Sequence, residues 1–303
     1  MVLESIISPL GAQRNPESNF VLGFVYAAIA VVLAFFIFPS DPSLSVIFLT
    51  TLAALPLLIE ILTAEEEEEM SELKIHNKLP LIATHLDVFL VFAYMFFGFL
   101  VCFLTVYIIF PEDVTNLLFS EQIQTIESIV GPSGFSTGNF FATGNSVAVS
   151  ASAFSAEEGL KIILLNNFKV LLFSLLFSFL YGAGAIFILA WNASVLAIAM
   201  GNLVKTKIAE FGEVTGLGII GSYFQAGSMS VLRYLVHGIP EVSSYFLGAV
   251  AGGIISAAVV RSDYKDPRFY EILLDSIDLI AFASLLLIVA ALIEVSITPL
   301  LVG

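Results

Sequence analysis

The polar residues best placed to do chemistry in this chain lie between Asn166 and Gly253, inside sequence that is otherwise apolar. Asn166 and Asn167 head one hydrophobic run, Asn192 interrupts another, and His237-Gly238-Ile239-Pro240-Glu241 opens a third. His237 and Glu241 are the pair suited to relaying a proton or holding a ligand. A metal site is not expected, because no second His or Cys lies at ligand spacing. The same cluster also reads as a helix start. Pro240 suits the first turn, where its missing N–H would be unpaired anyway. Glu241 would then face the positive end of the helix dipole, worth about 0.3–1 kcal/mol when exposed. His237 would satisfy a free backbone N–H or pair with Glu241. The three Asn side chains are expected to satisfy backbone groups where helices end or break.

The elements that must hold these residues are membrane spans. Of 303 residues, 58% are hydrophobic and 12% charged, with mean hydropathy +1.00 and 28 Phe, too little charge to cover a water-soluble surface. Runs near the roughly 20 residues that a span needs fall at 19–38, 43–63, 87–110, 168–191, 242–260 and 277–298. A seventh, 213–236, is interrupted by Gly, Ser and Gln. The short apolar piece Ser194–Gly201 reads as a half-span or re-entrant helix. The fold class is therefore all-α, a polytopic membrane protein with about seven transmembrane segments including broken or re-entrant helices. The first run reads as a retained anchor, not a cleaved signal. Before it, Val2, Leu3, Ile6, Ile7 and Leu10 form either an interfacial helix or a short tail. Cys102 is the only cysteine, so no disulfide framework exists.

Lys and Arg concentrate on the cytoplasmic side of membrane proteins. Arg14, then Lys74 and Lys78, then Lys205 and Lys207, then Arg261, Lys265 and Arg268 fall in alternate connections when 213–236 is a full span. The intervening connections Ser40–Ser43 and Pro111–Leu160 have no basic residue. This places the chain in the cell membrane with the N-terminus cytoplasmic and the C-terminus external. Lys161, Lys169 and Arg233 depart from the pattern and would snorkel at span ends.

Net charge is −15, and five of the acids are Glu65–Glu69 in a cytoplasmic connection. Such a run is a solvated face, and it argues against nucleic acid or an anionic leaflet as a partner. In the external segment 111–164, Ile123, Ile126 and Ile129 point to a short amphipathic helix over Ser120–Val130. Gly131–Gly144 reads as loop, and Ser155 with Glu158 as a capping box. Glu60, Asp87, Asp275, Asp278 and Glu294 lie near span ends, where they would reach headgroups or water.

Small residues mark close helix packing. Ser244, Gly248, Gly252 and Ser256 recur every fourth residue, which lets two helix backbones approach. Gly182 and Gly184 are the expected intramolecular counterpart, through contact or a kink.

Taken in order, these elements resemble the stage II sporulation protein M family of integral membrane proteins. The matching elements are Leu165-Asn166-Asn167-Phe168-Lys169-Val170, Gly182-Ala183-Gly184, Asn192-Ala193 with Gly201, and Val236-His237-Gly238-Ile239-Pro240-Glu241 followed by Gly248, Gly252 and Gly253. Ala193 and Val236 stand where the family pattern has Gly and Pro. The resemblance implies a five-span core at 85–303 that includes the external segment, behind an N-terminal two-span extension at 1–84. It also implies a non-enzymatic component or scaffold of a membrane complex, without a cofactor. Its partners would be the lipid bilayer and a protein partner or second copy, met through the spans and segment 111–164.

A channel or secondary transporter is the alternative, with His237, Glu241 and Asn192 lining a path between broken helices. A lesser alternative is an intramembrane protease. Gly131-Pro132-Ser133-Gly134 resembles the Gly-x-Ser-Gly of rhomboid-type serine proteases, with His237 as base. Glu157-Glu158 with Lys161 resembles the paired Glu of intramembrane glutamate proteases, without that family's Arg and His motifs. No residue is assigned as catalytic.

Overall fold

A computed structural model describes residues 9–75, 86–136, 156–181, 185–210, 217–260 and 269–296. Among them are ten α-helices and no strand: α1 (Pro9–Arg14), α2 (Ser18–Ile37), α3 (Pro42–Ile75), α4 (Leu86–Ile109), α5 (Glu112–Leu118), α6 (Ser120–Ser136), α7 (Ala156–Tyr181), α8 (Ala185–Glu210), α9 (Leu217–Val260) and α10 (Phe269–Ser296). Seven helices are long and apolar enough to cross a membrane, at Ser18–Ile37, Pro42–Ala64, Leu86–Ile109, Ile163–Leu180, Ala185–Ala209, Val236–Val260 and Phe269–Ser296. The protein is a multi-pass α-helical membrane protein.

Seven spans were expected, but the chain divides them differently. The run 168–191 is not one crossing. It contributes to two helices, α7 and α8, on either side of residues 182–184. The expected half-span Ser194–Gly201 lies inside α8, which is long and apolar enough to cross a membrane on its own. In the region of the expected span 213–236, residues 217–235 form the first part of α9, and the stretch with spanning character begins at Val236. Gly, Ser and Gln lower the hydropathy of the earlier part while leaving it helical. Gly131–Ser136, expected as loop, continues α6. The N-terminal stretch before Pro9, the Gly182-Ala183-Gly184 step and Ser155 of the capping box lie outside the described residues.

Helix α9 is the centre of the bundle, with 72% of its spanning window buried against 22% for that of α7. The small-residue stripe explains much of this. A Cβ on Gly248 would meet Leu171 at 2.5 Å, and one on Gly252 would run into the Leu175 carbonyl. Between them Ser178 Oγ donates to the Ala249 carbonyl at 2.6 Å. The stripe therefore packs against α7 of the same chain. On another side, Gly253 lies against Leu62 of α3, and Phe246 sits among Phe89, Phe92 and Phe96 of α4. A second close crossing joins α2 to α4, where Gly23 faces the Met95 carbonyl and Gly98 faces that of Phe20. Without a hydrophobic driving force in lipid, such backbone approach is what holds spans together.

The short helices α5 and α6 cap one end of the bundle. Phe119 is fully buried against Phe103 and Tyr107, and Ile126 is fully buried as well. Ser43, at the start of α3, donates to Gln122 Oε1 at 2.7 Å and accepts from the Glu121 N–H at 3.2 Å. The C-terminal part of α8 reaches this same end, with Lys205 Nζ 4.5 Å from the centre of the Tyr107 ring and the Glu112 carboxylate acting on its charge. This corrects the charge-based arrangement, which put Lys205 and Lys207 at the opposite end from Pro111–Leu160. The basic end of α8 meets an aromatic face and an acid at the α5–α6 end.

Candidate functional site

The His237–Glu241 cluster is not a helix start. Pro240 lies within α9, so no helix N-terminus faces Glu241. The expected dipole and capping roles are replaced by side-chain contacts. Pro240 supplies no N–H to the carbonyl one turn earlier, a local weakening that spans tolerate where neighbours compensate. The four-residue spacing places His237, Glu241 and Tyr245 on one face of the helix. His237 is 3% exposed and Tyr245 1%. The Tyr245 hydroxyl donates to Glu241 Oε1 at 2.8 Å, and Ser244 Oγ donates to the Glu241 carbonyl at 2.6 Å.

The third ionisable member comes from the next helix. Glu294 of α10 is 8% exposed, and one ligand-type atom from each of His237, Glu241 and Glu294 lies within 4.8 Å of the others. Its position near a span end suggests an acid reaching water or headgroups, but the structure turns Glu294 inward. Glu60, Asp87 and Asp278 are exposed as end acids should be, while Asp275 is half-buried. The missed signal was the antiparallel pairing of α9 with α10, which brings the end of the last span beside the start of the previous one.

Two carboxylates at this distance repel, and low-dielectric surroundings strengthen that repulsion. An acid withdrawn from water at a span end costs less than one at the span centre, but two such groups turned inward together still need partners. An imidazole and a phenol beside the pair reduce the cost, and a bound cation would reduce it further. The donor set is one imidazole nitrogen with two carboxylates, which suits a cation and can also pass a proton.

The other motif residues are not gathered at this centre. Asn192 donates to the Ile188 carbonyl on its own helix at 2.7 Å, so it neither marks a helix break nor ends one. Asn166 and Asn167 sit within α7, not at a helix end, with a 3.4 Å contact from Asn166 Nδ2 to Asn167 Oδ1. Asn167 is buried and its Nδ2 has no hydrogen-bond partner among the described residues. Gly238 has open space where a Cβ would lie. Ser244 and Ser256 are buried in the packed stripe. Ser133, Glu157 and Glu158 have side chains outside the described residues, and Lys161 is exposed.

A family model for the stage II sporulation protein M family matches residues 91–299, from early in α4 to beyond the end of α10. No curated protein and no solved structure matches the chain. The match covers more than half of the sequence and includes the His237–Glu241–Glu294 centre, and on that basis the chain belongs to the stage II sporulation protein M family.

Proposed function

We propose that this protein is a non-enzymatic cation-handling component of the membrane, acting as a channel or secondary transporter through its buried His237–Glu241–Glu294 centre. One observation carries the reading: three ionisable side chains from two different spans converge within 4.8 Å. Ionisable groups in spans are costly and mark ion or proton pathways. Asn192 is not needed for this path, because its side chain is held by its own helix. The test is flux in liposomes made with the purified protein, under proton, sodium and divalent-cation gradients in turn. Flux that Glu241→Gln abolishes supports the reading, and no flux under any gradient rejects it.

The second reading is a structural partner role in a membrane complex, favoured by the docked platform of α5 and α6. Phe119, Ile126 and the Ser43–Gln122 hydrogen bond fix that platform at one end of the bundle, where it could present segment 111–164 to a protein partner or second copy. Crosslinking through that segment in native membranes, with no flux from the purified protein, favours this reading over transport. In either role we place the N-terminus in the cytoplasm and the C-terminus outside, consistent with Arg14, Lys74 and Lys78 preceding odd-numbered spans.

A further inference from the structure

We propose that His237, Glu241 and Glu294 bind one divalent transition-metal ion of the zinc class, held between α9 and α10. The inference rests on reading the centre as a cation site and names the cation.

Geometry is the first argument. Zinc takes nitrogen and oxygen donors at about 2.0–2.2 Å, which in a tetrahedron sets neighbouring donors roughly 3.3–3.6 Å apart. The donors here lie within 4.8 Å of one another. Closing the site therefore needs side-chain movements of about 1 Å. His237 and Glu241 occupy the i, i+4 spacing by which a single helix turn offers two donors to one ion. Glu294 adds a third from the facing helix, so the ion would tie two spans together.

Charge and donor type narrow the ion. Two carboxylates and a neutral imidazole carry two negative charges, which a divalent cation cancels where water cannot. Calcium and magnesium seek six or more oxygens, or keep several waters, while an imidazole donor favours zinc and its neighbours in the transition series. The Tyr245 hydroxyl bonded to Glu241 Oε1 orients that carboxylate and leaves its other oxygen for the ion, as outer hydrogen bonds do at metal sites.

Access follows from position. The spanning part of α9 begins at Val236 and that of α10 ends at Ser296. At 1.5 Å rise per residue, Glu241 and Glu294 lie only about 8 and 3 Å inside those boundaries. An ion has a short way to travel from one face of the membrane.

The test uses the full-length protein in detergent, stripped with a chelator, incubated with Zn²⁺ alone, desalted and assayed for bound metal. The expected result is about one zinc per chain, and visible absorption of a four- or five-coordinate ion when Co²⁺ replaces it. Glu294→Gln, checked for helicity and monodispersity, should lose the zinc. Tyr245→Phe should keep it with affinity lowered about tenfold, which decides the matter even if the first variant does not fold. Zinc well below one per chain, equal zinc in folded Glu294→Gln, or ready displacement by millimolar Ca²⁺ or Mg²⁺ would overturn the proposal. Zinc binding without flux keeps this site and removes transport; flux without zinc binding does the reverse.

Discussion

The Tyr245 hydroxyl reaches back one helical turn to donate to Glu241 Oε1 at 2.8 Å. Both partners are on α9, so the bond depends on helix geometry and not on how α9 docks. A buried hydrogen bond contributes about 0.5–1.5 kcal/mol net, and more where the acceptor is ionised. Tyr245→Phe should lower the thermal stability of the detergent-solubilised protein by that order. The control is the same substitution beside Glu241→Ala, where the loss should shrink because the acceptor is gone. An equal loss in both backgrounds would assign the effect to packing of the ring.

The glycines of α9 are not equivalent. Gly252 lies against the Leu175 carbonyl and Ser178 of α7, whereas Gly238 has nothing within 4 Å of a new Cβ. Gly252→Ala should therefore push α7 away from α9 and destabilise the bundle, on the scale of 1–3 kcal/mol seen for overpacking. Gly238→Ala should be neutral or stabilising by about 0.5–1 kcal/mol, since Gly is a poor helix residue. Comparison of the two melting curves checks this. Similar destabilisation by both would place an unseen contact at Gly238.

What could be read from the sequence follows from how far each signal reaches. Hydropathy identified the membrane fold, because spanning lipid needs long apolar runs. The spacing Ser244, Gly248, Gly252, Ser256 defines one helix face wherever the partner lies, and on that face Gly248 and Gly252 meet Leu171 and Leu175 of α7. The helix ends were harder. Asn166, Asn167, Asn192 and Pro240 look like breaks when each is taken alone, yet all four are helical. In lipid, every backbone group that stays in the helix avoids a desolvation cost, so the helix persists through residues that would end it in water. Glu294 was beyond reach for a different reason. Its role depends on the pairing of α10 with α9, and no local pattern encodes that register.

The placement of Lys205 gives the last prediction. Its Nζ lies over the Tyr107 ring near Glu112, so the end of α8 and the start of α5 share one end of the bundle. Ser43 bonds to Gln122 at that end too, and α3 then runs away from it for 34 residues, about 50 Å at 1.5 Å per residue. Lys74, near the far end of α3, belongs on the other side of the membrane. Cys102 is buried in α4, so a Cys102→Ala background gives a chain ready for single-cysteine labelling. Glu112→Cys and Lys207→Cys should react with a membrane-impermeant thiol reagent from the same side of sealed vesicles. Lys74→Cys should react only from the opposite side. Charge distribution alone groups Lys207 with Lys74, so labelling of those two from one side would reject the helix arrangement that also brings Glu294 to Glu241.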